Sequence, residues 1–402
     1  MRLAIVTQSG ARIGGVEAYL EALLPALASH HQVAFCTASD NATARGAIAV
    51  PAGVQTLSVA RSVDDLRAWA PDLVFSHGID DAALEAVILG GTPSVAVEHT
   101  YHGTCISSSK TMTWPSVAGC DRPFGPACLG LYFPRRCGGA NPLTMVRLYN
   151  TQSIRLRTLR NVAAVVTLSR HMADEMMRNG VRSNRVHVVP PFVHALPPSV
   201  PATGAPSTLL YLGRLERLKG VDRLLSALPL VTKELGRPVR LIVAGDGAER
   251  FALEHKAAAI RDVDPRVSIE FAGWQDETGR AYLFTEADAL VVPSLWPEPF
   301  GLVGLEAAAA GVPAVGFATG GIPEWLKDGQ NGCLAESREA VSEALASAIV
   351  RCIGDKDDLL RLSAGAARLA AEWTLEKHVA GLESVFEQAL GTRTVIYAGA
   401  TA

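Results

Sequence analysis

The chain has 402 residues, enough for two domains of ordinary size, and 49% of them are hydrophobic, so each domain can bury a sizeable core. A formal net charge of −3 argues against a nucleic-acid binder, which normally carries a strongly basic domain. No apolar run reaches the length of a membrane span, and residues 1–7 read as a strand rather than a signal peptide; the expected location is the cytoplasm, with all seven cysteines reduced.

In chain order, the first half alternates short β-branched runs with helical patterns. Strands are expected at Leu3–Thr7, Val33–Thr37, Leu73–Ser76, Ser94–Glu98, Ala163–Leu168 and Val186–Val189, with amphipathic helices at Glu17–Ser29 and His171–Gly180. His194–Ser207, rich in Pro, Ala and Ser and without periodicity, reads as a linker. The second half repeats the theme with strands Thr208–Leu212, Arg240–Ala244, Ser268–Phe271, Asp288–Val292 and Ala314–Phe317, and helices near Val221–Leu235 and Glu249–Ile260. Near-continuous apolar strands alternating with helices imply parallel sheets covered on both faces. The expected fold class is therefore α/β: two Rossmann-like domains facing across a cleft, with ligands at the carboxyl ends of the strands. The boundaries read as 1–194, with a Cys/His-containing insert at 99–140, a linker at 195–207, a second domain at 208–373, and a closing helix and tail at 374–402.

Candidate site residues follow the same order. In the loop Gly10–Glu17, Gly14 and Gly15 permit close backbone approach and Glu17 opens a helix. A dinucleotide fingerprint fails here, because the G-x-G-x-x-G spacing is absent and no acidic residue ends the second strand. His77 and His99 each end a strand on the cleft-facing edge. Between residues 99 and 140 lie Cys105, Cys120, Cys128 and Cys137, separated by fourteen, seven and eight residues with no C-x2-C pair. These read as free thiols, with a structural zinc ion as the alternative. Arg147, Arg155, Arg157 and Arg160 decorate the helical stretch Leu143–Leu159, either as a solvated face or as a peripheral membrane contact at the inner leaflet.

In the second half, Gly213 to Gly220 (GRLERLKG) follows a strand and precedes a helix. Arg214 and Lys219, five residues apart, suit a diphosphate clamp or a basic turn equally well. Gly245-Asp246-Gly247 ends the next strand, and Ala272-Gly273-Trp274 ends the one after it. The stretch Leu295–Gly332 carries Glu298 and Glu306 with seven residues between them. Prolines stop the strand, a helix is expected to begin near Phe300–Gly301 with its free amides there and at Leu302, and Glu306 is placed about two turns further in.

The last stretch, E-P-F-G-x-x-x-x-E-A-x-A-x-G-x-P-x-V followed by T-G-G-I-P-E and D-G-x-N-G, resembles the E-x7-E signature of retaining glycosyltransferases of family 4, which have the GT-B fold. Gly213–Gly220 is similar to the family's G-R-L-x-x-x-K-G, and Gly14–Glu17 to its G-G-x-E. The resemblance is strongest over 208–334 and weak over 100–150. It implies an acceptor on the first domain, a nucleotide-diphosphate sugar on the second, and a last helix, here Thr374–Leu390, that returns to the first domain. It also implies that His99 touches the transferred sugar, that backbone beside Trp274 meets the nucleobase, and that attack is front-face and metal-independent. Arg214, Lys219 and the amides of Phe300–Gly301 would stabilise the leaving phosphate, Glu298 would orient the sugar, and Glu306 would hold the ribose. No cofactor is implied beyond the nucleotide-sugar co-substrate, and the acceptor, base and sugar are not legible. The D-x-D strings Asp262–Asp264 and Asp355–Asp357 read as turns or helix starts rather than metal ligands. A role in cell-surface polysaccharide or glycolipid synthesis follows from family habit. Rival readings are a nucleotide-sugar epimerase of the same fold, a phosphorylase (for which no lysine stands out to carry pyridoxal phosphate), and a non-catalytic nucleotide-sugar binder.

Overall fold

The computed structural model describes all residues except 12–14, 40–45, 61, 195, 197–206, 337–340 and 399–402, and omits the side chains of 392–398. Gly14 and most of the expected linker lie outside the described residues. Compactness divides the chain into two units. The first comprises Met1–Ser116, Cys120–Pro190 and Leu375–Ala402; the second comprises Val117–Gly119 and Pro191–Thr374.

The first unit is built on a seven-stranded sheet: β1 (Arg2–Ser9), β2 (Gln32–Ser39), β3 (Gln55–Ser58), β4 (Leu73–Ser76), β5 (Ser94–Glu98), β6 (Ala164–Thr167) and β7 (Val186–Val188). Their order across the sheet is β3-β2-β1-β4-β5-β6-β7, every pair parallel. In register, Leu3 stands beside both Val33 and Leu73. Leu3, Ile5, Val33, Leu73 and Phe75 are all buried, as a sheet covered on both faces requires. Polar caps set the helices that cover it: Asp81 accepts from Ala83 N and Leu84 N, Asn141 from Leu143 N, and Ser169 from Met172 N. The helix Leu375–Ala398 also belongs here, where Phe386 meets Phe75 with ring centroids 5.0 Å apart.

The second unit holds six strands: β8 (Ser207–Leu212), β9 (Val239–Ala244), β10 (Val267–Gly273), β11 (Ala289–Val292), β12 (Ala314–Phe317) and β13 (Gly332–Ala335). Their order is β10-β9-β8-β11-β12-β13, again all parallel. Leu209, Leu224, Leu241 and Ile349 are fully buried in its core; each such side chain is worth about 1.5–3 kcal/mol of burial.

Both sheets reverse direction of winding between their first strand and the strand that follows it on the far side, β1/β4 in one and β8/β11 in the other. The crevice outside the carboxyl ends at such a point is where a doubly wound sheet takes its ligand. In each unit those ends carry the residues singled out by sequence.

Candidate active site

In the second unit, β8 ends at Leu212 and the chain runs through a short turn, Arg217–Lys219, closed by Gly220 at φ +72°. Only glycine fits there, because a Cβ would lie 2.0 Å from the carbonyl oxygen of Pro293. That close approach ties the turn to the chain leaving β11: Leu295 N and Trp296 N both donate to Leu218 O, at 2.9 and 3.2 Å. The result is an ion pair. Lys219 Nζ donates to Glu298 Oε1 at 2.7 Å and stands 4.6 Å from the centre of the Trp296 ring. Ser294 Oγ also donates to Glu298 Oε1, and Gly321 N to Glu298 O at 2.7 Å. Glu298 is 6% exposed, so its carboxylate is held by partners rather than by bulk water.

Around this pair the other candidates take different places. Arg214 turns its guanidinium to Glu216, 2.7 Å away, on an exposed surface, and so is not part of the Lys219–Glu298 cluster. Gly245 and Gly247 lace the loops after β8, β9 and β10 together. Gly245 N donates to Gly273 O at 2.7 Å, and a Cβ at Gly247 would meet Leu215 O at 2.4 Å. Trp274, next in line, is half exposed. The Phe300 side chain is buried against Trp373, ring centroids 5.3 Å apart, and its carbonyl accepts from Trp325 Nε1 at 2.7 Å.

One expectation is corrected here. Gly301 sits at φ +89°, which no α-helix contains, so the helix spans Val303–Ala309, with Leu302 as its cap, instead of beginning near Phe300–Gly301. Glu306 therefore lies in the first turn rather than two turns in. Its carboxyl is pushed up by burial against the opposing pull of Arg280, whose Nη1 is 3.5 Å away. The two D-x-D strings are structural: Asp264 is paired with Arg266 at 2.8 Å, and Asp355 caps the helix Lys356–Ala370.

In the first unit, β4 and β5 deliver His77 and His99. Their rings stack at 24° with centroids 5.3 Å apart, and His77 Nδ1 lies 3.0 Å from His99 Nε2. The Tyr19 ring stands 5.6 Å from each imidazole, and its hydroxyl lies 2.6 Å from His378 Nε2. Burial pulls all of these imidazoles down, His99 and His378 to about 4 and His77 well below its ordinary value, so they are neutral at physiological pH. Glu17 lies in the first turn of the helix Gly15–His30, half-buried, with Gly15 exposed at its start.

The 99–140 segment is anchored from inside. Lys110 Nζ is buried against Glu175 Oε1, and Glu175 also receives Arg178 at 2.9 Å and Asn179 at 2.7 Å. The seven cysteines are free thiols. Burial pushes Cys137 up to about 11, with Cys105, Cys120 and Cys128 adding to the effect. Among the described residues, no three His, Cys, Asp or Glu side chains come together so as to hold a metal ion. Of the four arginines read as a solvated or membrane-facing set, Arg155 is buried in an ion pair with Glu85 at 2.7 Å, and Arg160 donates to Asn179 O. Arg147 and Arg157 are exposed.

Ser294, Trp296, Arg280, Tyr19 and His378 escaped the sequence reading. Ser294 and Trp296 flank the proline-rich step before Glu298 and were readable as its neighbours. The other three meet their partners only through tertiary packing.

Two doubly wound units, one with a partly buried lysine–glutamate pair at its switch point, define a GT-B-type protein. The family model described as Glycosyltransferase Family 4 matches residues 13–195, and that described as Glycosyl transferases group 1 matches residues 194–368. The chain belongs to the family 4 glycosyltransferases of the GT-B fold. It is 35% identical over 223 residues to a glycogen synthase of Mycobacterium tuberculosis, covering 52% of this chain and 50% of that protein. It is 31% identical over 258 residues to a D-inositol 3-phosphate glycosyltransferase of Xylanimonas cellulosilytica, covering 57% and 58%. The chain thus spans about half the length of the curated relatives it matches. The crystal structure of Anabaena Alr3699/HepE in complex with UDP shares the fold, with 19% identity, a TM-score of 0.68, and coverage of 96% of this chain and 100% of that one.

Proposed function

We propose that the protein is a retaining glycosyltransferase that moves a sugar from a nucleotide-diphosphate sugar to an acceptor hydroxyl, without a metal ion, in cell-surface polysaccharide or glycolipid synthesis. The observation that carries this reading is the Lys219–Glu298 pair at the carboxyl end of β8 and β11. An ammonium held against an aromatic face and a carboxylate can offset charge on a departing diphosphate, while the carboxylate accepts from sugar hydroxyls. Arg214 adds a second cation on the same loop once its guanidinium leaves Glu216. Glu306, with a raised pKa and Arg280 beside it, suits a hydroxyl partner such as ribose. No side-chain nucleophile is assigned: the departing phosphate takes the acceptor proton. The UDP bound in the Anabaena neighbour supports a uridine donor.

Binding of nucleotides tests the reading first. UDP at about 100 times its Kd stabilises the folded state by about 2.7 kcal/mol, a rise of a few degrees in Tm, and Lys219→Ala abolishes that rise. No shift with UDP, GDP or ADP overturns the donor site. Turnover of the nucleotide sugar with no acceptor present identifies an epimerase instead.

The acceptor side is the first unit, and its surface favours a lipid-linked acceptor at a membrane. From Arg122 to Arg170 there are eight arginines and not one Asp or Glu, in a chain whose net charge is −3, and all of these arginines but Arg155 are exposed. Phe133, Leu143 and Val146 are exposed within the same stretch, as is Trp114 just before it, and Arg136 covers the Trp114 ring at 5.0 Å. No described helix is long and apolar enough to cross a membrane. Peripheral attachment is expected to supply about 1 kcal/mol per basic side chain at an anionic surface. Flotation with phosphatidylglycerol vesicles, but not with phosphatidylcholine vesicles, is the expected result. The variant carrying Arg135→Glu and Arg136→Glu should lose it, and equal behaviour on both lipids would refute the attachment.

A further inference from the structure

His77 is buried in the first unit beside His99. Only 7% of the residue is exposed, and its Nε2 has no hydrogen-bond partner among the described residues. Its other nitrogen, Nδ1, is 3.0 Å from His99 Nε2. A neutral imidazole carries one proton, so exactly two arrangements of this pair can be drawn, and "donor" falls on one ring or the other. If His99 Nε2–H donates to His77 Nδ1, the single proton of His77 must sit on Nε2, as a buried N–H with no acceptor. If His77 Nδ1–H donates to His99 Nε2, the buried Nε2 of His77 is a bare lone pair, the lesser penalty, since orphaned N–H groups are the rarer of the two in folded proteins.

The neighbours favour the second arrangement. The Tyr19 hydroxyl is directed at His378 Nε2, 2.6 Å away, and His378 Nδ1 lies 2.6 Å from Pro190 O, which can only accept. His378 therefore holds its proton on Nδ1, and its Nε2 accepts from Tyr19. The Tyr19 proton is thereby committed away from His77, leaving ring faces around it: Phe75 at 4.5 Å and 80°, Tyr19 at 5.6 Å and 51°. Among the described residues, an N–H of His77 in the first arrangement would have only such a face to bond, an interaction weaker than an N–H···N bond. Both rings being held neutral by burial, neither arrangement is relieved by a second proton.

We infer that His77 is a positioning residue that fixes His99 as the Nδ1–H tautomer, so that the nitrogen of His99 turned away from His77 is a hydrogen-bond donor for an oxygen acceptor. With His99 placed on the transferred sugar, as the family resemblance implies, the inference names that acceptor's chemistry: a sugar or phosphate oxygen with a lone pair, not a hydroxyl proton. The tautomer itself does not depend on that reading. His77 plays the part that carboxylates and carbonyls play behind functional imidazoles elsewhere, and it does so without adding a charge.

The test is two-bond 1H–15N correlation NMR on the full chain labelled at its ten histidines, with His99→Gln identifying the His99 signals. The expected wild-type spectrum shows a pyrrole-type Nδ1 and a pyridine-type Nε2 for His99. His77→Phe, which has no donor, moves His99 toward the Nε2–H form; His77→Gln, whose carboxamide N–H can replace the lost donor, restores Nδ1–H. A wild-type His99 with a pyrrole-type Nε2 overturns the inference, whether or not the variants fold. A tautomer unchanged in folded His77→Phe overturns it too. Neither outcome bears on the nucleotide-binding result, so failure here and failure of the transferase reading are separable.

Discussion

Lys219→Ala is expected to lower kcat by about 10²–10³ fold, the loss usual when one preorganised partner of a developing anion is removed. The ammonium is the cation closest to Glu298, at 2.7 Å, and the Trp296 face and the Leu218 backbone fix where it points. Lys219→Arg should rescue little, because a planar fork cannot occupy a point-charge site on an aromatic face and keep the Glu298 bond. Glu298→Gln keeps the shape and the Ser294 bond while removing the charge, and its effect should fall on kcat more than on the KM for donor. Lys219→Ala also leaves a carboxylate that is 6% exposed without its cation, so Tm must be recorded beside the kinetics to separate misfolding from lost chemistry. A folded Lys219→Ala with unchanged kcat would remove Lys219 from the mechanism.

The second large effect is on stability. Lys110 and Glu175 are 3% and 1% exposed, and Lys110 also donates to the carbonyls of Thr104 and Arg122. One buried pair thus holds three points of a segment that has little regular structure of its own. Glu175→Ala takes from the Lys110 ammonium its only carboxylate partner among the described residues and should cost about 3–5 kcal/mol; Lys110→Ala leaves Glu175 its bonds from Arg178 and Asn179 and should cost less. Replacing both, Lys110→Met with Glu175→Leu, should recover most of the loss, since the desolvation cost of both ions disappears together. Denaturant titration of the four proteins completes the cycle. Single variants as stable as the wild type would show that the segment is anchored elsewhere.

The strands were the most legible part of the fold. Leu73–Ser76, Ser94–Glu98 and Ala314–Phe317 stand where their apolar runs put them, because a strand buried on both faces leaves an uninterrupted hydrophobic signature. Gln55–Ser58 gave no such signature: it is the edge strand and mostly exposed. Gly332–Ala335 opens on a glycine, which breaks the apolar run. The E-x7-E stretch was legible as a motif, while its local geometry was not, because nothing local says that Gly301 takes φ +89° or that the Trp325 ring packs so close to Gly304 that a Cβ there would lie 2.1 Å from it. Partners were the least legible. Nothing local says that Lys219 meets a glutamate 79 positions away, that Glu306 meets Arg280, or that Tyr19 meets a histidine 359 residues later. Arg155 shows the converse: a helix that reads as a row of solvated arginines hides one of them in an ion pair.

The membership of Leu375–Ala398 in the first unit sets the order of events during synthesis. His378 and Phe386, 2% and 0% exposed, close on Tyr19 and Phe75, residues that left the ribosome long before them. At about 5–20 residues per second, translating Pro191–Thr374 takes about 10–40 s. Throughout that interval the unit made first lacks the helix that covers Phe75 and Tyr19, while the unit made second can finish. The unit whose synthesis starts first is thus the one completed last, after a delay set by the length of the unit that interrupts it.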